Sequence, residues 1–150
     1  MSPVTARYDA TENRFVREDS LTGGERTLRT RVTLAQLNAG FTLLPAVAGF
    51  IYSLIDATLI AVGGAAAVGT SVNIIGTRAA APVQLLAVAI AALTQSAVVR
   101  AGAANAVVLA DGASFTPLDV NTGITVITVG SAMTTLTNLD VVLEYTLVPA

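Results

Sequence analysis

Residues 82–99 read PVQLLAVAIAALTQSAVV, and no charge interrupts the chain between Arg78 and Arg100. A gap of that length has three readings: a membrane helix, a buried helix or a strand inside a β-sheet. The membrane reading fails on density. The unbroken apolar run is only Leu85–Leu93, about half of the roughly 20 residues that a span requires. Gln84, Thr94, Gln95 and Ser96 flank it and Pro82 opens it. A buried helix is the alternative, because alanine is a strong helix former. Alternation favours the strand. Gln84, Leu86, Val88 and Ile90 place bulk on one side, and Ala87, Ala89 and Ala91 place methyl groups on the other. This pattern predicts bulk toward a core and an alanine face packed against another chain or a tightly held arm.

The flanking sequence extends the β reading. FIYSLIDATLIAVGG, Phe50 to Gly64, is rich in β-branched residues and stops at two glycines. Strict alternation puts Tyr52, Leu54, Asp56, Thr58, Ile60 and Val62 on one face, with a bend or bulge near the middle of so long a strand. Ser71–Gly76 and Ile124–Val129 read as strands. Val98–Val99 and Asn105–Leu109 read as a pair around AGAA, and Asp111-Gly112 as a turn. Thr134–Leu136 reads as a short strand or edge. The ending Leu139–Leu147 alternates cleanly, with Val141, Leu143, Tyr145 and Leu147 facing one way and Asp140, Val142, Glu144 and Thr146 the other. One helical turn is expected at 34–39, because Thr33 and Gln36 have capping-box spacing and Gly40 follows as a stop. A strand at 41–44 should then end at Pro45. Short strands with Gly, Asn and Asp turns, and no helix-length gaps, predict an all-β fold, a β-sandwich or jelly-roll-like barrel.

Charge divides the chain. Residues 1–31 hold 11 of the 18 formal charges. That segment has few large apolar residues and cannot offset its own ordering entropy. The expected organisation is a polar, extended N-terminal arm over 1–31 and a single β-domain over 32–150. Arg7, Arg14, Arg17, Arg26, Arg29 and Arg31 are interleaved with Asp9, Glu12, Glu18, Asp19 and Glu25, so the arm is nearly neutral. That is a solvated or partner-docking segment, not a nucleic-acid arm. No apolar stretch follows Met1, so a protein made and used in the cytoplasm is the default.

Composition narrows the chemistry. The chain has no cysteine and no histidine. Disulfides, thiolate metal sites and imidazole-based triads are excluded. No cofactor is expected. Gly64–Ser71, GAAAVGTS, resembles a phosphate-binding loop, but Thr70 stands where the lysine belongs and a strand-like segment follows. A glycine-rich hairpin loop is the better reading. Asp140 and Glu144 on a strand lie roughly 13 Å apart, too far for a paired-carboxylate glycosidase. Asp56 should pair with Arg78 or Arg100, since an uncompensated charge in an apolar run is costly. Asp111, Asp119 and Asn121 are turn formers without a calcium-loop pattern. With seven Phe and Tyr and no Trp, an aromatic binding platform is not expected either.

TLAQLNAG with LLPA downstream, the ALTQSAVV…AG stretch, and the ending TGITVITVGSA…TNLDVVLEY together resemble small virion proteins of tailed bacteriophages. The likeness covers about residues 31–148 and excludes the arm. It implies a capsid decoration (cement) protein with a β-sandwich or jelly-roll-like fold. Such a protein is not an enzyme. It is made in the host cytoplasm and sits on the capsid surface of the virion. Its partners would be the major capsid protein and further copies of itself, as a trimer rather than a dimer, with neither nucleic acid nor membrane. Another virion part, a head-fibre base or tail component, is the structural alternative, and a glycan-binding β-module is the alternative of a different class. The candidate interface residues are Ala87, Ala89 and Ala91, with Arg14, Arg17, Arg26 and Arg29 from the arm.

Overall fold

The computed structural model describes residues 6–9, 14–17, 24–101, 106–107 and 117–150, with side chains over 24–101 and 117–150. The fold is all-β, with two antiparallel sheets and one short helix. Eleven strands occur among the described residues: β1 (Ala6–Asp9), β2 (Arg14–Arg17), β3 (Glu25–Thr33), β4 (Phe41–Leu44), β5 (Phe50–Val62), β6 (Ser71–Arg78), β7 (Ala81–Ala89), β8 (Val98–Arg100), β9 (Ala106–Val107), β10 (Ile124–Val129) and β11 (Asn138–Pro149). β1 and β2 form a separate hairpin. One sheet runs β3-β11-β5-β8 and the other β4-β10-β6-β7-β9. No helix among the described residues is long and apolar enough to cross a membrane.

The helix α1 (Leu34–Ala39) carries the chain from one sheet to the other. Its start is a full capping box: Thr33 Oγ1 accepts from Gln36 N–H, and Gln36 Oε1 accepts from Thr33 N–H. Gly40 ends it at φ 86°, a conformation that costs a residue with a Cβ far more. Leu37 from this turn is fully buried.

One core serves both sheets. Val32, Leu59, Leu139, Val141 and Leu143 of the four-stranded sheet cluster with Val72, Ile74, Leu86, Val88, Ile124 and Val126 of the five-stranded sheet. Burial of this apolar surface is the dominant favourable term in the fold. At one end Tyr52 and Tyr145 meet edge to face, with ring centroids 5.6 Å apart. The Tyr52 hydroxyl donates to the Pro45 carbonyl.

Several expectations need correction. The division at residue 31 fails: Glu25–Arg31, placed in the arm, are the greater part of β3, and they pair along β11 from Thr146 to Asp140. Their alternating burial, with Val32 fully buried at the end, explains why they belong to the sheet. The bulge expected near the middle of β5 is present, and it shifts the phase so that Tyr52 and Leu54 do not share a face with Asp56, Thr58, Ile60 and Val62 as strict alternation would have it. Glu144 pairs with Asp56 but Tyr145 pairs with Leu54, so Ile55 is the extra residue. Tyr52 faces inward before it, and Ala57, Leu59 and Ala61 after it. A second bulge, at Leu85, does the same in β7. Gln84 therefore faces away from Leu86 and Val88 instead of with them.

Three connections also differ from expectation. Gly64–Ser71 is not a hairpin loop, since β5 and β6 belong to different sheets. Its first glycine is needed for space, because a Cβ on Gly64 would lie 2.6 Å from the Thr135 carbonyl oxygen. β8 and β9 do not pair with each other; β8 joins β5 and β9 joins β7. Ile90–Ala92 is a 3₁₀ turn, so β7 ends at Ala89. The turn expected at Asp111-Gly112 lies outside the described residues.

Candidate interaction surfaces

The side of each sheet that faces away from the core is a candidate surface, and the two differ in kind. On the four-stranded sheet the register lines up cross-strand rows. Arg31, Asp140, Ile60 and Val98 form the first, and Arg29, Val142, Thr58 and Arg100 the second. Thr27, Glu144 and Asp56 form the third, and Glu25, Thr146 and Ser53 the fourth. Seven charged side chains share this face. Arg31 Nε donates to Asp140 Oδ1 at 2.6 Å and Nη2 donates to Oδ2 at 2.8 Å, a two-pronged ion pair. The hydrogen bonds from Arg31 hold the Asp140 carboxyl below the ordinary carboxylate value. Beside this pair, Arg29, Ile60 and Val142 line a shallow open depression of about 400 Å³. Val98 is 56% exposed at the sheet edge.

The outward face of the five-stranded sheet carries no charged side chain among the described residues. It includes Thr42 from β4, Thr125, Ile127 and Val129 from β10, Ser71, Asn73, Ile75 and Thr77 from β6, and Pro82, Gln84, Ala87 and Ala89 from β7. Three of its polar side chains bond in a chain. Ser71 Oγ donates to Asn73 Oδ1 at 2.7 Å, and Asn73 Nδ2 donates to Gln84 Oε1 at 3.1 Å. Asn73 is only 8% exposed although its neighbours Val72 and Ile74 face the core. Ala87 lies directly beside it across the strands. The result is an uncharged face on which Ser71, Asn73 and Gln84 bond to one another beside Ala87 and Ala89.

The sequence candidates divide between these surfaces. Ala87 and Ala89 lie together on the uncharged face and are half-buried. Ala91 does not extend that face: it sits in the 3₁₀ turn and is exposed. Arg29 lies on the charged face, and Arg26, one of the inward-facing positions of β3, is half-buried. Arg14 and Arg17 lie on β2, where the side chains are outside the described residues. The seven therefore do not converge on one site.

Asp56 makes no pair with Arg78 or Arg100. Its Oδ1 instead accepts from the N–H of Ala57 at 2.7 Å, next to the bulge. Asp119 and Asn121 are turn locks. Asp119 accepts from the N–H groups of Ala79 and Ala80 at 3.0 and 2.8 Å, and Asn121 Oδ1 accepts from Gly49 N–H at 2.6 Å. The Asp119 bonds hold Ala79 and Ala80 in the left-handed region, at φ 52° and 59°. Asp111 lies outside the described residues, and no group of three or more potential metal ligands occurs among the described ones. Gly64–Ser71 leads into a strand, so no helix N-terminus stands ready for a phosphate.

Sequence reasoning missed the Ser71–Asn73–Gln84 chain and the Arg31–Asp140 pair. The alternation of Asp140 and Glu144 was visible, but the partner strand that brings Arg31 to Asp140 was assigned to the arm. Comparison with protein families, curated proteins and solved structures found no match to this chain.

Proposed function

We propose that this chain is a structural virion protein, a decoration subunit that binds the outer surface of a phage head and bridges capsid subunits. The observation that carries the reading is the uncharged outward face of the five-stranded sheet. Interface centres are depleted of charge, and a desolvated face is cheapest when its polar groups already bond to one another. Ser71, Asn73 and Gln84 meet that condition. Ala87 and Ala89 let a partner backbone approach closely. In this reading the shell lies against the uncharged face and the charged face of the four-stranded sheet points to solvent. The resemblance of residues 31–148 to small phage virion proteins points the same way. A two-layer β-sandwich is the finer fold assignment that suits this role, and the core common to both sheets supports it.

Co-sedimentation with expanded, undecorated phage capsids tests the proposal. The expected result is saturable pelleting with a fixed number of copies per capsid. A chain that stays in the supernatant at every concentration contradicts the proposal. Retention on tails instead of heads reassigns it to another part of the virion.

A further inference from the structure

The strand β3 is an edge. β11 pairs with one side of it from Glu25 to Thr33, and among the described residues no strand pairs with the other. Along the free side of this nine-residue strand the N–H and C=O groups of alternate residues are left unpaired, a template for another strand. Charged side chains on an edge ordinarily discourage such pairing. In β3 the positions of Glu25, Arg29 and Arg31 decide which registers attract. The strand reads ERTLRTRVT.

We infer that β3 pairs antiparallel with β3 of a second copy, with Leu28 opposite Leu28 of the partner subunit. In this register Glu25 stands opposite Arg31 and Thr27 opposite Arg29, each twice across the twofold axis. Shifting the partner one way by a single two-residue step sets Arg29 against its own equivalent, a like-charge contact. Shifting it the other way sets Glu25 against Arg29, again opposite charges, but pairs only the five residues 25–29 instead of the seven residues 25–31. Opposite residues in the inferred register differ by an even number, so both copies present the same face to the same side. The two four-stranded sheets then form one continuous sheet of eight strands. Arg31 is free to take part, because its side chain is 58% exposed and the bonds to Asp140 use two of its five donors. This pairing is isologous and yields a dimer, not the trimer that the resemblance implies. The pairing does not depend on the capsid reading. If that reading holds, the dimer points two uncharged faces at the shell together.

Sedimentation of the full chain gives the oligomeric state, and introduced cysteines give the register, since the chain has no cysteine of its own. A dimer is expected. Mixing Thr27→Cys and Arg29→Cys chains under mild oxidation should give a disulfide-linked heterodimer in far higher yield than either variant alone. Glu25→Arg should weaken the dimer about tenfold, because the substituted contact occurs twice. A wild-type monomer across the accessible concentration range overturns the inference. So does a dimer whose cross-links show no preference for the 27–29 combination. Binding of a monomer to capsids would overturn it while leaving the proposed function intact.

Discussion

The two outward faces of this protein back onto one shared core but hold different kinds of residue. Seven charged side chains lie on the four-stranded sheet, among them Arg29, Arg31, Asp140 and Glu144. The five-stranded sheet has Ser71, Asn73, Gln84, Ala87 and Ala89 in the equivalent positions and no charge among the described residues. Both sheets contribute to one core, so the difference is not one of stability. Of the ten charged side chains among the described residues, seven lie on the face of the four-stranded sheet, and the other face is left able to lose water cheaply.

The comparison breaks first if the sheets are independent. Leu143 and Ile74 are fully buried on opposite sheets. Leu143→Ala and Ile74→Ala should each cost about 2–5 kcal/mol. Each should lower a single, shared unfolding transition in calorimetry; two separate transitions would show two cores. The second test places a charge on the uncharged face. Ala87→Arg should reduce capsid affinity about a hundredfold, equivalent to about 2.7 kcal/mol, with the melting temperature nearly unchanged. Arg29→Glu on the opposite face should leave affinity within about threefold, since single exposed charges contribute little.

Next comes the turn that joins β6 to β7 beside the uncharged face. Asp119→Ala leaves Ala79 and Ala80 in the left-handed region without the bonds that hold them there. A loss of about 1–3 kcal/mol in urea unfolding is expected. Ala80→Gly in the same background should recover part of it by removing the Cβ penalty. The smallest effect belongs to the charged face. The Asp140 pKa is depressed by Arg31, so its stabilising contribution is present above the unfolded value of about 3.9 and is lost as pH falls through the lower folded value. Asp140→Asn should therefore be slightly less stable than wild type at neutral pH and should lose less stability on acidification below pH about 4. The pair is largely exposed, so the difference is small and fades with salt.

Much of this was legible in the sequence wherever a pattern is local. The capping box at Thr33 and Gln36, the strand at Phe41–Leu44 and the alternating end at Leu139–Leu147 follow from nearest neighbours along the chain. The 82–99 stretch is legible as a strand as far as Ala89 and again at Val98–Val99, but not the 3₁₀ turn between them. What the sequence hid was set between strands. A bulge at Leu85 turns Gln84 outward to meet Asn73, because one extra residue flips every side chain beyond it, and the bulge expected near the middle of β5 is fixed at Ile55 only by the pairing with β11. The charge of residues 25–31 suggested an arm, but a half-buried edge strand tolerates the same composition when alternate residues face solvent.

The central claim is that the uncharged face of the five-stranded sheet meets the shell. Cryo-electron microscopy of capsids incubated with the purified chain tests it most directly. The account predicts ordered density on the capsid lattice, with Asn73, Ala87 and Ala89 against the shell and Arg31 and Asp140 facing solvent. Density in the reverse orientation, or a capsid surface without added density, would contradict it.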